Sequence, residues 1–390
     1  MTGQPGPQEQ PHEEPQEHAS TAAARDKPGR SPRHAGTPRA EDAGARGDGA
    51  PPSLAIDPRG SMIRAGAWIL GVLFLQFAFI YSYVAAFHDP TPHELKVQVV
   101  APPVAASQGE ELVDQLNRLA NDPLDASLAA SEAEARRDVR NGEQVAALVL
   151  RPEQARDLLL VASGGGVSVE EAAEQVLTRV MAEQRRVLQV DDLVPLQSGD
   201  ARGLTGFYLV VGWAVGAYLF PTVVALARGD RPVSVKAAAL RLAALVPYAL
   251  ASGIGGALIV GPLLDAQTGH FWELALLGAA VSFSIAAVAI GLEALLGVIG
   301  IGVTLLLIVI IGNPSAGGAF QAGVMPTFWR VVGDWIPTGA GVDGVRQIVY
   351  FDSDAMTRPL LVLAAYAVVG VLLTLLVAGR GRRPELLVTV

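Results

Sequence analysis

The chain has no cysteine among its 390 residues. This absence excludes disulfide bonds, thiolate metal sites and cysteine nucleophiles, so any extracytoplasmic part must fold by its hydrophobic core alone. The sequence also lacks a Gly-Lys pair, which excludes a Walker A phosphate loop, and it lacks the G-x-S-x-G and H-E-x-x-H patterns. We therefore expect no catalytic residues, no metal site and no cofactor, and we expect that the chain is not an enzyme.

Basic residues are fewer than acidic ones, with 29 Lys and Arg against 38 Asp and Glu and a net charge of −9. The acidity belongs mainly to residues 88–203, which carry 20 acidic and 11 basic side chains. Binding of phosphate backbones needs clustered Lys and Arg. The sequence therefore predicts no nucleic-acid partner.

Long runs without any charge indicate membrane spans. Residues 65–87 contain no Asp, Glu, Lys or Arg, and a bilayer core of about 30 Å needs about 20 apolar residues in a helix. A signal peptide is the alternative, but its apolar region would be shorter and nearer the N-terminus. Five more apolar runs lie at residues 205–227, 242–264, 274–292, 298–312 and 360–379.

These runs predict an α-helical polytopic membrane protein, with six spans in a 1+5 arrangement in the lipid bilayer. Residues 1–60 are rich in Pro, Gly, Gln and Glu, a composition that favours a disordered tail. Residues 61–87 form the first transmembrane helix, and residues 88–203 form an inserted extracytoplasmic domain. Residues 204–390 form the five-span part.

Short apolar runs alternate with helical patterns in residues 88–203, which is typical of an α/β domain. The pattern predicts strands at residues 96–101, 144–150 and 157–162 and a helix at residues 109–121. Ser131 and Ser168 each stand three residues before a glutamate, the spacing of a capping box. We expect Ser168 to open a helix that continues to about Val190.

Basic residues at the span ends predict the orientation, because they stay on the cytoplasmic side. The predicted cytoplasmic residues are Arg59, Arg64, Arg228, Arg231, Lys236, Arg241, Arg380, Arg382 and Arg383. The same topology places Arg202, Arg330, Arg346 and Arg358 outside. The excess of basic residues in the short loops on the other side outweighs these four arginines. We therefore expect a plasma-membrane protein with both termini in the cytoplasm.

Glu293 lies at the predicted cytoplasmic end of the fourth span, with almost no polar loop before the fifth. A carboxylate within the membrane is by default a functional hypothesis, because charge in hydrocarbon is costly. The alternative is that Glu293 reaches the interface and has no further role. The sequence leaves both interpretations open.

Residues 313–357, between the last two spans, are too apolar for an ordinary exposed loop and are interrupted by three prolines. We expect a re-entrant pair of short helices that dip into the outer leaflet or lie on it. The residues singled out in this segment are Asn313, Pro314, Arg330, Trp335 and Arg346.

Four motifs carry a family resemblance: NPSAGG at residues 313–318, PTFWR at 326–330, WIPTGA at 335–340 and RQIVYF at 346–351. Together with the span arrangement, they resemble the ABC-2 type permease superfamily. Within it, the chain is most similar to the YhgE/Pip phage infection protein group and to fungal nitrosoguanidine-resistance membrane proteins. The resemblance implies a permease fold and a separate ATPase subunit that docks on the loop between spans two and three.

The leading hypothesis is therefore a permease that exports a lipid-like or amphipathic compound, as a homodimer or with an ATPase subunit. The docking loop would use Arg228, Arg231, Lys236 and Arg241; alternatively, these charges only set the orientation. The rival hypothesis is a non-transporting surface receptor or interaction protein that is anchored by its spans and binds partners through residues 88–203.

Overall fold

A computed structural model describes residues 58–228, 234–353 and 355–380. Most of the predicted tail of residues 1–60 therefore lies outside the described residues. The helices are α1 (Pro58–Phe87), α2 (Ala106–Leu116), α3 (Glu132–Arg140), α4 (Val167–Glu183), α5 (Thr205–Arg228), α6 (Val235–Leu258), α7 (Phe271–Leu296), α8 (Val298–Leu305), α9 (Asn313–Ser315), α10 (Thr327–Trp335), α11 (Pro337–Tyr350) and α12 (Thr357–Arg380). The strands are β1 (Leu95–Val100), β2 (Leu124–Leu128), β3 (Ala146–Val149), β4 (Arg156–Val161) and β5 (Val187–Asp192).

The five strands form one sheet in the order β2-β1-β3-β4-β5. β1 runs parallel to both β2 and β3, β4 is antiparallel to β3, and β5 is parallel to β4. Helices α2, α3 and α4 make the connections between parallel strands, as a crossover requires. The predicted strands at residues 96–101, 144–150 and 157–162 are confirmed within one or two residues.

The two faces of the sheet are covered in different ways. On one face, α2 and α4 contribute Leu116, Leu177 and other residues to a core with the inward side chains of the strands. On the other face, α3 contributes Ala135 and Val139, and Phe351 from the end of α11 completes this second core. Because Phe351 lies beyond residue 203, the sheet region shares a core with the helical part of the chain.

Ser131 caps α3 as predicted, since its hydroxyl accepts a hydrogen bond from the Glu134 amide at 3.1 Å. The prediction for Ser168 is wrong. α4 begins at Val167 without a side-chain cap, and Ser168 binds Gln321 instead. The predicted continuation of this helix to Val190 is also wrong, because α4 ends at Glu183 and Arg185 adopts a φ of 58°.

The sequence patterns also misplaced two elements on the α2 side of the sheet. The helix predicted at residues 109–121 begins and ends earlier, as Ala106–Leu116. The strand Leu124–Leu128 was not predicted, although its first and third residues face the core and its second is exposed. Five residues with two inward positions give too weak an alternation for a strand prediction.

Six helices are long and apolar enough to cross a membrane: Gly66–Phe87, Thr205–Ala225, Val235–Leu263, Phe271–Leu296, Val298–Ser315 and Thr357–Arg380. These confirm the six apolar runs read from the sequence, and the third begins seven residues earlier than predicted. All five strands lie between the first and the second of these helices in the chain.

Helix α7 is the centre of the helical part. In the apolar 18-residue segment of α7, 78% of the segment is buried inside the protein, compared with 11% of the corresponding segment of α1. Small residues allow this packing: a Cβ on Gly253 of α6 would collide with the Ala275 carbonyl of α7, and one on Gly370 of α12 would collide with the backbone at Ala287. At these two positions the packing against α7 therefore depends on close backbone approach.

The fifth apolar helix is not regular. α8 passes into a π-helical stretch, Leu306–Gly312, which leads directly into α9. The hydroxyl of Ser82 on α1 donates a hydrogen bond to the Ile310 carbonyl within this stretch. π-Helical turns are frequent at functional sites, and here one joins α1 to the rest of the bundle.

Candidate functional site

The segment between the fifth and sixth apolar helices forms the predicted pair of short helices, α10 and α11. Pro326 stands at the N-cap of α10 and Pro337 is the first residue of α11. The residue before a proline is driven to an extended backbone, and Ile336 has φ −107° and ψ 146°. This proline therefore separates two helices that would otherwise run together.

The predicted residues of this segment fall in three places. Asn313 and Pro314 are buried in α9, at the end of the fifth apolar helix rather than in a loop. Trp335 is the last residue of α10 and is exposed. Arg330 of α10 and Arg346 of α11 are half-buried and line the same cavity. The structure thus brings two of the five predicted residues together.

This cavity, which we call the arginine cavity, has a volume of about 620 Å³. One wall comes from the sheet region, at residues 93–96 and 141–145, and the other from residues 315–358. It is lined by both charged and apolar side chains, including Lys96, Val145 and Val169. A volume of this size is within the range of ligand-binding clefts.

The acidic groups on the 315–358 wall have a cationic partner. Arg358 forms ion pairs with Asp334 at 2.7 Å and with Asp343 at 3.0 Å. Arg346 donates a hydrogen bond to the Gly317 carbonyl at 3.1 Å, and burial lowers the pKa of its guanidinium, which the nearby Asp343 opposes. Within the described ranges, neither Arg330 nor Arg346 has a carboxylate oxygen within 4.0 Å.

The two walls are joined by a polar contact and an apolar one. The Ser168 hydroxyl donates a hydrogen bond to the side-chain Oε1 of Gln321. The same hydroxyl accepts a hydrogen bond from the backbone N–H of Gln321 at 3.0 Å. The Phe351 ring packs against Gly142 and Gly165 in the second core of the sheet. Since both contacts cross from the sheet region to the helical part, the shape of the cavity depends on their staying together.

Glu293 lies inside the bundle rather than at its surface. Its side chain is 3% exposed, and the Thr222 hydroxyl donates a hydrogen bond to Glu293 Oε1 at 3.3 Å. An interfacial carboxylate would extend to solvent, so the structure does not support that interpretation. Glu293 near the end of α7 and Arg241 near the start of α6 lie at the same end of this antiparallel helix pair, and both are buried.

The predicted docking loop is described only in part. Arg228 ends α5, and Arg231 lies outside the described residues. Lys236 is exposed in the first turn of α6, which Ser234 caps by accepting a hydrogen bond from the Ala237 amide at 3.2 Å. Arg241 is 7% exposed. Of the two side chains in this set that the structure describes, Lys236 is at the surface and Arg241 is buried.

Gln321 and Arg358 line the arginine cavity and Phe351 supports it, but the sequence patterns did not predict these roles. Arg358 was noted only as a basic residue on the outer side, although a charge at the start of an apolar helix is a signal that could have found it. Gln321 and Phe351 carry no such signal, because their roles depend on partners far away in the chain. The described residues contain no group of three or more His, Cys, Asp or Glu side chains that could hold a metal ion.

Comparison with known proteins gives one family. The family model described as "ABC-2 family transporter protein" matches residues 67–376. The match therefore includes the six apolar helices almost completely, the sheet region and the arginine cavity. No curated protein and no solved structure matches the chain.

Proposed function

The chain belongs to the ABC-2 transporter family, and from this premise we propose that it is the membrane component of an exporter for lipid-like or amphipathic compounds. The observation that carries the proposal is the family match over a bundle with a central, mostly buried helix. A protein that is only anchored in the membrane needs one span. The tight packing of α6 and α12 on α7 instead suits a transporter, in which packed helices move as rigid bodies. The receptor hypothesis finds no comparable support.

The energy source in this proposal is a separate ATPase subunit. The chain contains no Gly-Lys pair and so cannot form a Walker A loop itself. We place the docking surface on the connection between α5 and α6, where Arg231 and Lys236 would meet the partner. The permease works as a homodimer or as a complex with this subunit, and α1 has enough exposed apolar surface to contact lipid or a second copy.

The double variant Arg231→Gln, Lys236→Gln tests this docking surface. It removes two charges while keeping Arg228 and Arg241 as orientation signals. We expect export, and co-purification of an ATPase subunit with the permease, to fall while abundance in the membrane stays normal. The matched control is Arg137→Gln, Arg140→Gln, which removes two exposed charges from α3 and should change neither readout. Normal export and co-purification in the first variant would refute the docking role.

The orientation is part of the same proposal: plasma membrane, both termini in the cytoplasm and residues 88–203 outside. Because the chain has no cysteine, single cysteines report the topology without background. Cysteines at positions 108 and 268, which are both exposed, should react with an impermeant thiol reagent in intact cells, and one at position 232 should not. Labelling at position 232 alone would reverse the orientation.

A further inference from the structure

We propose that the arginine cavity binds the phosphate headgroup of an amphipathic lipid, with Arg330 and Arg346 as the anion contacts. This inference rests on the proposed function and specifies the chemical class of its substrate. The cavity measures about 620 Å³, which is enough for a glycerophosphate headgroup and the first part of a chain.

The charge arrangement favours an anion. Asp334 and Asp343 share Arg358 as their partner, so these three side chains together carry a single negative charge. Arg330 and Arg346 add two positive charges, and the described residues supply no carboxylate within 4.0 Å of either. The remaining lining acids, Glu94 and Glu143, are exposed to solvent, where water screens their repulsion.

The donor chemistry also fits phosphate. A guanidinium presents five N–H donors in a planar fork, and Arg346 directs one of them to the Gly317 carbonyl. The remaining donors of Arg346 and those of Arg330 are available to a bound group. Arginine binds phosphate oxygens in a bidentate manner, and the partial burial of both side chains strengthens such hydrogen bonds.

The neighbouring surface indicates that the ligand has an apolar chain. Helix α10 is amphipathic: Arg330, Gly333 and Asp334 line the cavity. Its other side carries Phe328, Val331 and Trp335, all large and more than half exposed. The spacing of three and four residues places these three on one face. Aromatic side chains prefer the membrane interface, so a headgroup in the cavity would have its chain beside an apolar surface.

The walls are held in place before any ligand binds. The Ser168–Gln321 hydrogen bonds fix one end of the cavity, and the two ion pairs of Arg358 tie α10 and α11 to the start of α12. A pre-organised site loses less entropy on binding. We therefore infer a built site rather than a chance gap between two parts of the chain.

The test uses the purified full chain in a neutral detergent and a fluorescent lysophosphatidic acid as the probe. Competitors are unlabelled lysophosphatidic acid, a monoacylglycerol of the same chain length and inorganic phosphate. Arg330→Gln is the principal variant, because this side chain is half-buried and its loss breaks no ion pair among the described residues. Arg346→Gln is the second variant, and Arg202→Gln, exposed and outside the cavity, is the matched control.

We expect wild type and Arg202→Gln to bind the probe equally and Arg330→Gln to bind it at least about tenfold more weakly. Unlabelled lysophosphatidic acid should displace the probe, and monoacylglycerol should not at the same concentration. Equal binding by Arg330→Gln and wild type would overturn the assignment. Displacement by monoacylglycerol would overturn the assignment of a phosphate contact. Displacement by inorganic phosphate that is as effective as displacement by lysophosphatidic acid would indicate a site for free anions and would overturn the assignment of a lipid ligand.

This assay requires neither an ATPase subunit nor export. If the wild type does not bind the probe while the Arg231 and Lys236 variant loses export as expected, the cavity assignment falls and the proposed function stands. If charge-dependent binding is found while that double variant exports normally, the docking surface falls and the cavity assignment stands. The two failures are thus distinguishable.

Discussion

Replacement of Phe351 by alanine should weaken the sheet region although residue 351 lies about 160 residues beyond Asp192, the end of its last strand. Phe351 is 5% exposed and belongs to the core formed by Val139, Leu158 and Leu160. A buried Phe→Ala substitution costs about 3 to 5 kcal/mol through lost apolar contact and the cavity that remains. The cost should fall on the sheet face that α3 covers.

Hydrogen exchange of the full-length protein, followed by mass spectrometry, measures this effect locally. A loss of about 3 kcal/mol corresponds to an increase in the opening equilibrium of about a hundredfold. Peptides from β3, β4 and α3 should therefore exchange about a hundredfold faster in Phe351→Ala. A matched control is Phe328→Ala, since Phe328 is 59% exposed in the same segment and should change exchange little.

The result that would refute the reasoning is wild-type protection of β3 and β4 in Phe351→Ala. That outcome would mean that the sheet region is stable without the helical part and that the shared core contributes little. Partial rescue by Phe351→Leu, which restores most of the apolar volume, would support the packing explanation.

Two further predictions concern α4. Ser168→Ala should lower the free energy of unfolding by about 1 kcal/mol or more, because the hydrogen bonds to Gln321 are lost. Hydrogen exchange should become faster at Gln321 as well as in α4. Faster exchange in α4 alone would instead indicate that Ser168 acts as a local cap. Burial, and then Glu174, Asp192 and Glu171, raise the pKa of Glu170 from 4.5 to about 7. The folded state therefore binds more protons there than the unfolded state, so stability should fall as pH rises from about 4.5 to about 7. Glu170→Gln should flatten this slope and raise Tm at pH 8, and an unchanged Tm profile would contradict the shift.

Much of the architecture could be predicted from the sequence because it depends on local patterns. A run of about 20 residues without charge is enough to predict a membrane helix, since the length requirement is a property of the bilayer. The positions of the prolines predicted where α10 and α11 begin, because a proline restricts the backbone of the residue before it. Ser131 caps α3 because the capping contact spans only three residues.

Only the tertiary structure decided the roles of side chains whose partners are distant in the chain. Ser168 has the same local spacing as Ser131, yet it binds Gln321, 153 residues away, because that contact satisfies its hydroxyl at the boundary between the two walls of the cavity. Arg330 and Arg346 lie on different helices, and no periodicity brings them to one cavity. Local sequence determined the apolar helices and most of the strands, whereas long-range packing determines which of their polar side chains meet.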